Sequence, residues 1–321
     1  NALRRRPLGR CRQFTLYPAH SPDDAALFFV AMSFVDMSSV IPSLVGHLTQ
    51  SPVLIGVLGS VQTGCWLLPQ IFAARIVPGK RRKLPMVLIA TTISRLGWAI
   101  LLIALIFYQQ IGPLVTVAAC YLAVGTFTMF DGISALAWYD LIARAIPPTI
   151  RGRLFGAMSL IGGVLGIGGG LIVERIIGNP LLPFPSDYRT LVAVTLLILA
   201  VGITPLALVV EPEGEEAHPP EPLGAYLRRL PGLLRDRPSF RRLVGVQLLV
   251  GTSGLAVPFY APFAVIGLGV PESVVGTFVI GVTAGLMVGG AAWGYLGDHG
   301  QKHRAIRAIA ACGFLAPIIP L

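Results

Sequence analysis

The chain has 321 residues, of which 54% are hydrophobic and 12% charged, and its mean hydropathy is +0.75. Soluble domains carry about 25% charged residues, so this composition cannot cover an ordinary globular enzyme with a polar surface, and it excludes a disordered chain or a coiled coil on the same ground. The formal charge of +10 then marks loops on one side of a bilayer, and no nucleic-acid partner is expected.

Residues 1–24 are polar, carry Arg4, Arg5, Arg6, Arg10 and Arg12, and read as a cytoplasmic tail with no cleavable signal peptide ahead of the first span. Eight stretches are long and apolar enough for spanning helices: 25–47, 53–77, 84–108, 112–143, 154–178, 190–210, 243–268 and 273–297. A ninth opens near Ala305, and the sequence stops inside it at Leu321. The runs are too long, and alternate too little, for the strands of a membrane barrel. Spans 1 to 6 form a first half over 25–210. A polar central segment follows over 211–242. It is acidic and Pro-rich at first (Glu211, Glu213, Glu215, Glu216, Pro219, Pro220), then basic and amphipathic, as expected of a linker helix lying on the membrane surface. Residues 243–321 begin a second half.

Twenty-two of the 25 basic residues fall on one side of this plan. Arg175 and Arg189 fall on the other, and Arg95 lies within span 3. Such asymmetry in short loops places the N-terminus in the cytoplasm of a multi-pass protein, most simply in the plasma membrane.

Three ionisable residues lie deep in spans. Asp36, Arg95 and Asp131 each stand about ten or eleven residues from the end of their span, roughly 15 to 17 Å into the bilayer and close to its midplane. A charge there costs at least about 2.5 kcal/mol, so it is expected to pair or to face water. Ser33, Asp36, Ser39, Ser43 and His47 recur at three- and four-residue spacing on span 1, as do Asp131, Ser134 and Trp138 on span 4. Both sets predict a water-facing stripe. Asp36 and Asp131 are candidates for binding a coupling proton or a cationic substrate. Arg95 is the candidate counter-ion, or else part of a fixed ion pair holding helices together. On span 5, Gly162, Gly166 and Gly170 recur every fourth residue and predict close helix packing. The four cysteines and five histidines make no metal or disulfide pattern, and neither a metal nor a cofactor is expected.

An internal repeat underlies the plan. At an offset of 220 residues, Leu54-Ile-Gly-Val-Leu-Gly in span 2 meets Val274-Val-Gly-Thr-Phe-Val in span 8, with Gly56 on Gly276 and Thr63 on Thr283. Both spans run into short basic loops containing glycine. Parallel six-helix halves of this kind are one architecture of secondary transporters. Gly294-Tyr-Leu-Gly-Asp298-His-Gly300 and Gly79-Lys-Arg-Arg resemble the two copies of the loop signature G-x-L-A-D-R-x-G-R-R of the major facilitator superfamily, with Ile76 where the first copy has Asp. The stretch from Asp140 to Arg151-Gly152-Arg153 resembles that family's connection between spans 4 and 5.

The resemblance implies an all-α, polytopic bundle of two pseudo-symmetric halves, here with the second incomplete. It implies a monomeric secondary transporter of a small molecule or ion, working by alternating access and coupled to a proton or ion, with efflux the expected direction. It also implies a cytoplasmic gate of ion pairs drawn from Gly79, Arg81, Asp140, Arg151, Gly152, Arg153, Gly294, Asp298 and Gly300. Spans 1, 4 and 7 would line the cavity, span 7 offering Gln247, Ser253 and Tyr260. The competing classes are an integral membrane enzyme and a non-transporting, receptor-like fragment. Asp131-Gly-Ile-Ser-Ala-Leu resembles the start of the CDP-alcohol phosphotransferase motif but has no Arg at its sixth position. Neither a nucleophile–base set nor a phosphate-binding loop is present, so no enzymatic activity is expected.

Overall fold

A computed structural model describes residues 27–77, 82–145, 148–207, 222–253, 256–298, 307 and 311–312. The described residues form helices and turns, without a strand. In chain order the helices are α1 (27–34), α2 (Val40–Leu48), α3 (Pro52–Ile76), α4 (Leu84–Ile106), α5 (Tyr108–Ala145), α6 (Pro148–Ile177), α7 (Ser186–Ala207), α8 (Leu223–Asp236), α9 (Pro238–Ser253), α10 (Val257–Pro262) and α11 (Val274–Asp298). Five of them, α3 to α7, contain stretches long and apolar enough to cross a bilayer. The N-terminal tail, the start of the central segment and most of the ninth predicted span lie outside the described residues.

Among the described residues, predicted span 1 is interrupted. Span 1 is α1 and α2, separated at residues 35–39. One Asp36 carboxylate oxygen accepts hydrogen bonds from the Ser38 amide (2.9 Å), the Ser38 hydroxyl (2.5 Å) and the Ser39 hydroxyl (2.8 Å). This local bonding gives the backbone an alternative to the helical ladder. The helix restarts at Val40 with Ser39 at φ −135°. The described part of span 7 lies in α9 and α10, and α10 runs on into a π-helical turn at Phe263–Gly267. Pro258 stands in the first turn of α10, where proline costs least because the first-turn amides have no helical partner.

Gly112, at φ 74°, breaks the start of α5 in a conformation that favours glycine, and Pro113 then reopens the helix. The core joins α1, α2, α4, α5, α7 and α11 through Phe34, Leu44, Trp98, Phe127, Tyr188 and Val279, all nearly inaccessible. Helices α4 and α5 approach so closely at Gly97 that a Cβ there would lie 2.6 Å from the Ala123 carbonyl oxygen. The outer surface is apolar: Leu68, Ile89, Leu96, Leu114, Leu197 and Leu286 are each more than half exposed. Such a surface is a liability in water and suits lipid.

Helix α6 packs along α11 through the predicted glycine seam. A Cβ on Gly166 would lie 2.8 Å from Thr283, and one on Gly170 2.7 Å from Ile280. Gly162 faces Phe29 of α1 instead, at 2.5 Å. From the other side, a Cβ on Gly276 would meet the Glu174 amide nitrogen at 2.5 Å. Helix α2 packs on α10, where Gly46 lies against Ile266 and Pro262.

Candidate functional site

Asp36 sits in the break of span 1, and its carboxylate is fixed there by Ser38 and Ser39, just ahead of α2. The serine stripe predicted to face water is instead buried: Ser33, Ser39 and Ser43 are each 5% exposed or less. Ser33 bonds its own helix at Val30, and Ser39 bonds Asp36. Ser43 lies 3.0 Å from the Tyr188 hydroxyl. Of these hydroxyls Ser43 reaches another helix, while Ser33 and Ser39 bond within span 1.

Asp131 lies on α5 beside Gly132, where a Cβ would approach the Trp66 carbonyl oxygen to 2.4 Å. The Asp131 side chain is hydrogen-bonded to the Trp66 side chain of α3, and the charge of Arg95 acts on it favourably. Arg95 is buried. Its Nε donates to the Leu199 carbonyl of α7 at 2.8 Å and its Nη1 to the Thr91 carbonyl at 2.9 Å. The guanidinium thus ties α4 to α7 while standing within electrostatic reach of Asp131. On the same helices, Thr91 and Ser134 hydroxyls are 2.8 Å apart.

At the end bearing the basic loops, Asp140 of α5 forms an ion pair with Lys83, the fully buried residue that precedes α4. Asp140 was expected among the gate residues, and its partner comes from the Arg81-Arg82-Lys83 run. Arg151, Gly152 and Arg153 fall in the opening turns of α6, and Gly294 and Asp298 in the last turns of α11. Their side chains, with Gly79, Arg81 and Gly300, lie outside the described residues.

The opposite end carries a cluster that sequence reasoning did not assemble. Glu272, in the turn before α11, lies 2.5 Å from His47 Nε2 at the end of α2. The same carboxylate oxygen accepts the Tyr188 hydroxyl at 2.6 Å. His47 also stacks on Phe184 at 5.2 Å between centroids. Asp187 is 2% exposed and receives the Tyr188 amide at 2.8 Å. Burial by itself raises the Glu272 carboxyl, but hydrogen bonds from His47 and Tyr188, with the charge of His47, hold it below its ordinary range. The signals in the sequence were Ser43 and His47 on the span 1 stripe and a lone acid in a short loop between two apolar spans.

Among the described residues, no group of three or more His, Cys, Asp or Glu residues could hold a metal ion. The chain matches no family model, no curated protein and no solved structure. The site's own geometry therefore carries the functional reading.

Proposed function

We propose that this chain is a secondary active transporter of a small solute, of the major facilitator type, working by alternating access and coupled to a proton or another ion. The observation that carries the reading is the interruption of span 1 at residues 35–39, with the Asp36 carboxylate held in the break. Broken helices are a device by which transporters expose backbone and side-chain ligands near the midplane. Asp131 lies at similar predicted depth on α5.

The surrounding contacts suit a rocking motion. At one end α2 packs on α10, and Glu272 clasps His47 and Tyr188. In this reading that end is the extracellular one, with the N-terminus and the basic loops in the cytoplasm, and the clasp is the closed outer gate. The Lys83–Asp140 pair, which stays within the first half, steadies the ends of α4 and α5. The smooth α6–α11 seam lets the two halves shift without unpacking large side chains. Asp36 and Asp131 take the coupling proton or a cationic group, and Arg95 holds Asp131 poised.

A thermal-shift panel of small cations and amphiphiles on the purified protein, followed by flux in proteoliposomes under an imposed proton gradient, tests the reading. Gradient-dependent flux of a binding solute, lost in both Asp36→Asn and Asp131→Asn with normal expression, is the expected result. Unimpaired flux in both variants removes the carboxylates from the mechanism, and binding without flux under any gradient contradicts transport.

A further inference from the structure

Helix α8 is amphipathic. On a helical wheel Leu223, Leu227, Leu233 and Leu234 share one side, and Arg228 and Arg235 share the other. Leu227 is 42% exposed, and Arg228 and Arg235 are exposed. The helix packs against α9, leaving this leucine uncovered. From Leu223 to Arg242 there are six arginines against one acid, Asp236. Helix α8 ends at Asp236 and α9 begins at Pro238, in the segment that leads into predicted span 7, so one residue tethers α8 to a membrane-entering helix.

We infer that α8 lies in the interface of an anionic leaflet, leucines toward the acyl chains and arginines on lipid phosphates. An apolar stripe with arginines opposite matches a surface-lying helix, and the charge excess selects anionic over zwitterionic headgroups. A protein partner of ordinary charge would satisfy the leucines but leave the arginines unmatched. Anchoring α8 fixes the start of α9, so leaflet charge controls where the second half begins. The inference rests on membrane embedding but not on transport.

The test uses the whole chain in nanodiscs, with native cysteines replaced and an environment-sensitive fluorophore on Leu227→Cys. Gly232→Cys, on the opposite side of the wheel with open space around it, is the control. Acrylamide, which is neutral, reports access from water. In bilayers with phosphatidylglycerol the label at 227 shifts to the blue and its quenching falls at least about threefold relative to phosphatidylcholine, while the label at 232 stays accessible. The triple variant R228Q/R235Q/R237Q, or high salt, abolishes the difference. Equal accessibility at 227 in both lipids overturns the inference. So does protection that persists in the triple variant or in detergent, since the leucines are then covered by protein. Loss of the chain from carbonate-washed vesicles marks failure of membrane embedding instead.

Discussion

At Asp36 a single carboxylate oxygen holds the amide and hydroxyl of Ser38 and the hydroxyl of Ser39. Asn keeps an acceptor oxygen in that place and removes only the charge. Asp36→Asn is therefore expected to leave thermal stability within about 1 kcal/mol. Asp36→Ala strands the Ser38 amide and both hydroxyls and is expected to cost about 1–3 kcal/mol. Melting of the two variants in detergent checks the contrast, and equal losses would mean that the break does not depend on this carboxylate. The glycine seam gives a second test. Gly276→Ala drives a methyl against backbone at Glu174 N and at Gly170 O, 2.6 Å away, and separation of α6 from α11 is expected to cost about 1–3 kcal/mol. Gly285→Ala, on the same helix with open space around it, is expected to be neutral or slightly stabilising, by up to about 1 kcal/mol.

At the scale of elements, the clasp between α2, α7 and the turn before α11 is sensitive to pH. Because Glu272 is held below its ordinary carboxyl range, its contribution is complete above about pH 4.3 and disappears as the pH falls through the depressed value. In thermal melts against pH, the unmodified protein is expected to lose about 1–2 kcal/mol in that acid window. Glu272→Gln should be less stable at neutral pH and lack that acid-dependent loss, and identical acid profiles would show that the clasp contributes nothing.

The same elements show what the sequence could disclose. Spans 2 to 6 were legible because apolar run length is a local signal, and α3 to α7 lie close to the predicted limits. The break at Asp36 was not legible. Its cause is a hydrogen-bonding choice between a side chain and its own backbone, and apolar run length does not register it. The serine stripe had helical spacing, but spacing alone does not distinguish a face toward water from one toward Tyr188. Asp36, Arg95 and Asp131 stood out individually by depth. Trp66 and Leu199 came from distant segments that only folding brings beside Asp131 and Arg95, as it brings Glu272 beside His47 and Tyr188.

For the whole molecule, the account requires that the end clasped by Glu272 can open. Helix α2 meets α10 there, and opening requires the parts to slide along the closely packed α6–α11 seam. Two states separated by a few kcal/mol would leave a minor open population, and loss of a clasp would enlarge it. Gln50 and Leu268 are exposed near that end, beyond α2 and after the π-helical turn, and accept spin labels without disturbing the cluster. The most direct measurement is the label–label distance distribution between Gln50→Cys and Leu268→Cys in bilayers, with native cysteines replaced, before and after Glu272→Gln. The account predicts two distances, a short one for the clasped state and a longer one whose population rises in the variant. A single short distance, unchanged by Glu272→Gln and by pH, would contradict alternating access through this end of the molecule.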